Sequence, residues 1–198
     1  MFSSRNLSTG TPLIRQISTD HALEIAAVCF SIAFTLLYLR NVIPQCYVAA
    51  LLGSVLFTLL CWRKRIFAES ALHVFYAGMA VYGFFATEAD WQVSSRPLSD
   101  HLAWLLAGTL GTLCVGYLLS RNPLARTPYL DAFTSVFSLI ATWLMISYVH
   151  ENWLYWMVID SAAITLYAKR GLYLSAALFV LYLAMALDGY FVQIQWFS

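Results

Sequence analysis

Residues 42–65 read VIPQCYVAALLGSVLFTLLCWRKR. A run of 21 residues without a formal charge, 42–62, stops at three consecutive cations, Arg63, Lys64 and Arg65. About 20 apolar residues suffice to carry a helix across the hydrocarbon core of a bilayer. Basic clusters gather in the short loops that remain on the cytoplasmic side. The stretch therefore reads as a membrane helix whose C-terminal end lies inside, with Pro44 near its outer end.

The same pattern continues in both directions. Apolar segments occupy 21–39, 42–62, 70–87, 102–119, 129–149, 152–168 and 172–191. Nine of the eleven Lys and Arg residues fall in the N-terminal tail and in alternate gaps: Arg5 and Arg15, then Arg63, Lys64 and Arg65, then Arg121 and Arg126, then Lys169 and Arg170. The opposite side receives only Arg40 and Arg96. This asymmetry predicts a cytoplasmic N-terminus and an outer C-terminus. It also requires an odd number of spans. The expected organisation is a polar tail over residues 1–20 and a seven-helix membrane domain over 21–198, with the polar stretch Glu88 to His101 outside.

The composition agrees. The chain has 198 residues, of which 61% are hydrophobic and only 11% charged, against about 25% charged in a soluble domain. Spans of this length leave no room for a soluble catalytic domain. A net charge of +1 gives no basic footprint for nucleic acid; the expected surroundings are a lipid bilayer, and a homo-oligomer is compatible with them. Cys29, Cys46, Cys61 and Cys114 lie singly in apolar stretches, a spacing that suggests neither disulfides nor a metal site. The first twenty residues lack the apolar core of a cleaved signal peptide.

A shift of 106 positions lays the third segment on the seventh. Tyr76, Met79, Ala80, Gly83 and Phe85 then meet Tyr182, Met185, Ala186, Gly189 and Phe191. The same shift carries Arg63 and Lys64 onto Lys169 and Arg170, and Gln45 and Tyr47 onto Glu151 and Trp153. Two copies of three helices (21–87 and 129–191) joined by a linker helix at 102–119 make a 3+1+3 parallel repeat. Transporters are often built from such repeats, with substrate near the midplane between them. The linker helix carries Gly108, Gly111 and Gly116, and small residues let neighbouring helices approach closely.

Candidate chemistry concentrates at Glu151-Asn152-Trp153-Leu154-Tyr155-Trp156-Met157-Val158-Ile159-Asp160. At helical spacing Trp153, Trp156 and Asp160 share one face. Asp160 sits near the middle of a span, where a carboxylate costs about 2.5–3.5 kcal/mol on insertion scales and so faces a bundle interior or a wet cavity. Two indoles beside a carboxylate suit a flat cationic ring. An interfacial role for Trp153 and a structural partner for Asp160 are the competing readings.

The fifth segment carries Asp131, Ser135, Ser138 and Thr142 at spacings of four, three and four, one face of a helix. That stripe either lines a path or meets another helix, and Asp131 could simply cap the helix. His73, Tyr76 and Tyr82 on the third segment and Tyr182 on the seventh complete the candidate substrate-binding set. No nucleotide-binding loop, zinc-protease motif or serine nucleophile elbow is present, and no cofactor is expected. His150-Glu151 reads as an isolated pair in a short outer turn.

These residues resemble the Pnu-type vitamin transporters over about 21–198. The likeness is carried by Asp131-Ala132-Phe133-Thr134, by Glu151-Asn152-Trp153-x-x-Trp156, by Lys169-Arg170-Gly171-Leu172-Tyr173 and Gly189-Tyr190-Phe191, and by Tyr82-Gly83. The resemblance implies seven helices in the 3+1+3 order of the sugar-transporting SWEET proteins. It implies uptake of a dephosphorylated vitamin precursor across a bacterial inner membrane by facilitated diffusion, with a cytoplasmic kinase trapping the substrate. It also places the family's tryptophan-rich motif on Trp153, Trp156 and Asp160; some relatives carry Asn at the last position. Nicotinamide riboside is the expected substrate and thiamine the alternative, since both present a cationic aromatic ring. Riboflavin, neutral and larger, suits Asp160 less. An integral membrane enzyme and a binding subunit of an ATP-driven importer are the rival classes.

Overall fold

The computed structural model describes residues 11–63, 67–87, 91–121, 123, 127–169 and 173–194. Seven helices run through them: α1 (Thr11–Leu39), α2 (Cys46–Arg63), α3 (Phe67–Ala86), α4 (Leu98–Ser120), α5 (Pro128–Ile146), α6 (Asn152–Lys169) and α7 (Tyr173–Ile194). Lys64, Arg65, Glu88, Asp90, Arg126, Arg170, Gly171, Leu172 and the tail before Thr11 lie outside the described residues.

The boundaries differ from the apolar segments in ways that local chemistry explains. α1 begins at Thr11, inside the expected tail, because Pro12 is tolerated in a first helical turn and no breaker follows before Leu39. α2 begins at Cys46 rather than 42; residues 40–45 form the turn after α1, in which Asn41 takes a positive φ of 57°. α5 stops at Ile146, and Tyr148, with φ of 54°, turns the chain before α6. α4 reaches back to Leu98 behind Pro97. Of these helices, α1 from Thr19, α2, α4 and α5 are long and apolar enough to cross a membrane; Ser70–Ala86 and Ala176–Val192 are shorter apolar stretches. α6 is the polar exception, carrying Asn152, Asp160, Ser161, Thr165 and Lys169.

The chain divides into two compact units, Met1–Thr87 and Glu88–Ser198. In the first, α2 packs on both α1 and α3. An Arg63–Asp20 ion pair at 2.9 Å ties the end of α2 to the start of the apolar part of α1, as antiparallel neighbours require. Gly53 lets α1 close in, since a Cβ there would lie 3.0 Å from Ser31 Oγ.

In the second unit α4 packs on α5, α5 on α6 and α6 on α7. The glycines of α4 receive side chains of α5: Phe137 at Gly108, Val136 at Gly111 and Tyr129 at Gly116. The core gathers Phe137, Ile140, Ala141, Leu144, Val149 and Ile159, with Trp104, Phe133, Tyr155 and Trp156 packed around it. Burial of such side chains contributes about 1.5–3 kcal/mol each in water; inside a bilayer close packing takes over that role.

The two units share positions. α2 and α6 are both 18 residues long, and both ends correspond at a shift of 106; α3 and α7 also begin 106 apart. One shift later, at 107, Phe30-Ser31, Thr35 and Leu37 of α1 meet Phe137-Ser138, Thr142 and Leu144 of α5. The change of one arises because 40–45 joins α1 to α2 with six residues and 147–151 joins α5 to α6 with five.

Candidate functional site

α6 starts where Asn152 Nδ2 donates to Val149 O at 2.6 Å. That bond secures the α5–α6 turn and fixes the rotation of the helix. Asn152 and Trp153 are both fully enclosed. The Trp153 indole lies on Gly189 of α7, where a Cβ would fall 2.6 Å from Cε2. One turn on, Trp156 packs against the α5–α6 core; its Nε1–H is buried and has no acceptor among the described residues. Asp160, another turn on, is only 3% exposed, and among the described residues no hydrogen bond or ion pair to its carboxylate is found. The helix thus carries a buried donor and a buried carboxylate, four residues apart, without a partner among the described residues. An unsatisfied buried polar group costs roughly 1–3 kcal/mol, and more when charged.

On α5, Ser138 is buried, and Thr142 Oγ1 donates back to Ser138 O at 2.7 Å. The hydroxyl of Thr142 is thus satisfied by its own helix. Asp131 occupies the first turn of α5, where a carboxylate is stabilised by the helix dipole, and its Oδ2 lies 3.5 Å from Thr127 Oγ1. Tyr182 on α7 meets the edge of Phe179, centroids 6.0 Å apart.

His73, Tyr76 and Tyr82 belong to the first unit. His73 stacks on Phe57 of α2, centroids 4.7 Å apart and planes 14° from parallel, and Tyr76 meets its edge. Tyr82 is half exposed. The shift of 106 also holds for contacts: Tyr47 lies on Gly83 as Trp153 lies on Gly189, and both aromatic residues are 2% exposed.

Glu151 is not isolated, contrary to its reading in sequence. Ser95 Oγ donates to Glu151 Oε1, Arg96 N donates to Oε2 at 3.3 Å, and His101 Nε2 lies 3.7 Å from Oε2. His101 Nδ1 is 3.0 Å from the Tyr155 hydroxyl. Burial alone would raise the Glu151 carboxyl, but the Ser95 and backbone hydrogen bonds, with His101 nearby, hold it below the usual glutamate value. Fifty residues separate these partners, so no local spacing announces the cluster. Asn152 was legible as part of the tryptophan-rich segment, yet only its burial marks it.

A run of apolar helices, one of which carries a buried donor and carboxylate without a partner among the described residues, has the make-up of a multi-pass membrane transporter. Comparison with known proteins gives the same class. The chain belongs to the nicotinamide mononucleotide transporter family, whose model matches residues 21–198, and it is a Pnu-type transporter close to PnuC.

It is 24% identical over 177 residues to the nicotinamide riboside transporter PnuC of Escherichia coli (strain K12), spanning 72% of this chain and 73% of that protein. It is 28% identical over 120 residues to the riboflavin/roseoflavin transporter RibM of Streptomyces davaonensis, 56% of each chain. The fold matches a crystal structure of the vitamin B3 transporter PnuC with a TM-score of 0.71 at 22% identity, covering 93% of this chain and 85% of that one.

Proposed function

We propose that this protein takes up nicotinamide riboside by facilitated diffusion across a bacterial inner membrane, with N-terminus inside and C-terminus outside. The helices are arranged as a 3+1+3 parallel repeat, and a cytoplasmic kinase traps the cargo by phosphorylation. The observation that carries the reading is a pair of groups on α6, the Trp156 Nε1–H, buried without an acceptor among the described residues, and the enclosed Asp160 carboxylate. A pyridinium ring bearing an amide and a ribose supplies what each lacks: an acceptor for the indole, and a positive charge for the carboxylate. Trp156 also offers a π-face to the cation. Ser138, Thr142, Asp131, Trp153 and Tyr182 belong to the same unit as that pair and support it, Trp153 through its seat on Gly189; His73, Tyr76 and Tyr82 of the first unit complete the proposed substrate-binding set. The kinship with PnuC supports this substrate. Thiamine, with its own cationic ring, satisfies the same chemistry.

The kinship with RibM favours a second reading, a flavin. A neutral isoalloxazine leaves Asp160 without a counter-charge, so the two readings separate on charge.

The test is a ligand panel on purified protein, read by tryptophan fluorescence, followed by uptake into proteoliposomes. Nicotinamide riboside should quench more strongly than thiamine, and both more strongly than riboflavin. Labelled cargo should equilibrate without ATP or an ion gradient. Preferential binding of riboflavin would overturn the substrate assignment, and gradient-dependent accumulation would overturn the passive mechanism.

A further inference from the structure

At the end of the second unit where α4 begins and α5 gives way to α6, residues 91–97 cross the α5–α6 turn as a strap. Ser94 N donates to Tyr148 O and His150 N donates to Ser94 O, both at 2.9 Å, so the two segments pair like short strands. The ring of Trp91 lies over Tyr148, centroids 5.0 Å apart. Glu151 then holds the next two residues, Ser95 through its hydroxyl and Arg96 through its backbone N–H. Behind this fastening His101, 7% exposed, bridges Glu151 and Tyr155.

Under the strap is a cavity of about 150 Å³, walled by Arg96, Asp100, His101, Trp104, Trp143 and Ser147 among others. A cavity of that volume holds one six-membered aromatic ring; whole drug-sized ligands take about 300–1,000 Å³. Its chemistry is that of a ring site with polar ends. Two indoles offer apolar walls, a hydroxyl and an imidazole offer hydrogen bonds, and Arg96 and Asp100 balance in charge.

We propose that this cavity is an antechamber, a second subsite that receives the flat heteroaromatic ring of the cargo apart from its sugar, and that the strap is its cover, fastened by Glu151. The cargo class rests on the function proposed above; the cover does not. The turn that the strap grips, residues 147–151, leads directly into α6, so the cover is tied to the start of the helix that carries Trp156.

The experiment places a thiol on the cavity wall by Ser147→Cys, in full-length protein whose exposed Cys29 and Cys114 are changed to Ser. Maleimide labelling is followed in detergent. The Glu151→Gln variant, with Ser95→Ala added, should label several-fold faster with no ligand present, because the cover is loosened. Saturating nicotinamide riboside, and free nicotinamide at higher concentration, should slow labelling several-fold. If Glu151→Gln lowers the yield of folded protein, Ser95→Ala alone carries the same expectation.

Labelling indifferent to Glu151 and Ser95 overturns the cover. Riboside binding that quenches tryptophan fluorescence but leaves labelling unchanged overturns the antechamber while the transport reading stands. Absence of binding by any vitamin in the panel sinks both.

Discussion

Gly189 and Trp153 are in contact so close that no side chain fits between them: a Cβ on Gly189 would sit 2.6 Å from Cε2 of the indole. The first unit repeats the relationship, with Gly83 placed 2.8 Å, by the same measure, from Cζ of Tyr47. An aromatic ring at the start of one helix is thus seated in a notch near the end of the next helix, once in each unit.

Gly189→Ala should destabilise the protein by about 1–3 kcal/mol, the usual cost of overpacking a filled site. Gly83→Ala should do the same. Gly78→Ala is the control, because a Cβ there meets nothing within 4 Å; it should be neutral or slightly stabilising, as Ala favours the helix. Thermal melts in detergent check all three. Adding Trp153→Phe to Gly189→Ala should recover part of the loss; full destabilisation in the double variant would show that the notch is not what Gly189 provides.

Trp156→Ala should weaken binding of the cationic cargo by about 1–2 kcal/mol through lost stacking and cation–π attraction. Asp160→Asn keeps the shape and removes the charge. It should hurt a cationic riboside more than a neutral nucleoside analogue of equal size. Titrations of both ligands against both variants decide this. Equal losses for the charged and neutral ligands would remove the counter-ion role; a lower melting temperature with normal binding would make Asp160 purely structural.

The number of helices and the special character of α6 were legible because lipid imposes simple rules: spans have a length, cations mark their ends, and a carboxylate in a span is conspicuous. The correspondence of α2 and α3 with α6 and α7 was legible at a constant shift of 106. The match between α1 and α5 was hidden by one residue of difference in the following turn, so Ser31 and Thr35, which repeat the Ser138 and Thr142 back-bond, escaped notice. The site was legible by face and not by contact. Helical spacing put Trp153, Trp156 and Asp160 together, but could not say that Trp153 would be consumed by packing on Gly189 while Trp156 kept a free N–H. The Glu151 cluster joins segments about fifty residues apart, and no periodicity reports such a meeting.

The split of nine cations against two predicts the orientation. Reporter fusions in the Arg63–Arg65 turn should be active on the cytoplasmic side, and fusions between Glu88 and Asp100 on the outer side. The Arg63–Asp20 ion pair adds that the start of the apolar part of α1 and the end of α2 share a side. A C-terminal reporter active in the cytoplasm would reverse the assignment.

Acidity should release the strap. The Glu151 carboxyl is held below its ordinary value of 4.5, burial opposing the shift and the Ser95 hydroxyl, the Arg96 N–H and His101 producing it. A carboxylate with a lowered folded-state pKa contributes stability that is complete above the ordinary value and is lost as pH falls through the folded one. Around it stand Ser95 and Arg96 on the strap, His101 on α4 and Tyr155 on α6. The loosening belongs to Glu151 and begins only in the acid range. The expected observation is a melting temperature that falls more steeply below about pH 4.5 in the parent protein than in Glu151→Gln, which has no proton to gain there. Trp91 emission, sensitive to its stacking on Tyr148, should change over the same pH interval in the parent and stay flat in the variant. Matching acid profiles in the two proteins would show that Glu151 does not fasten the strap.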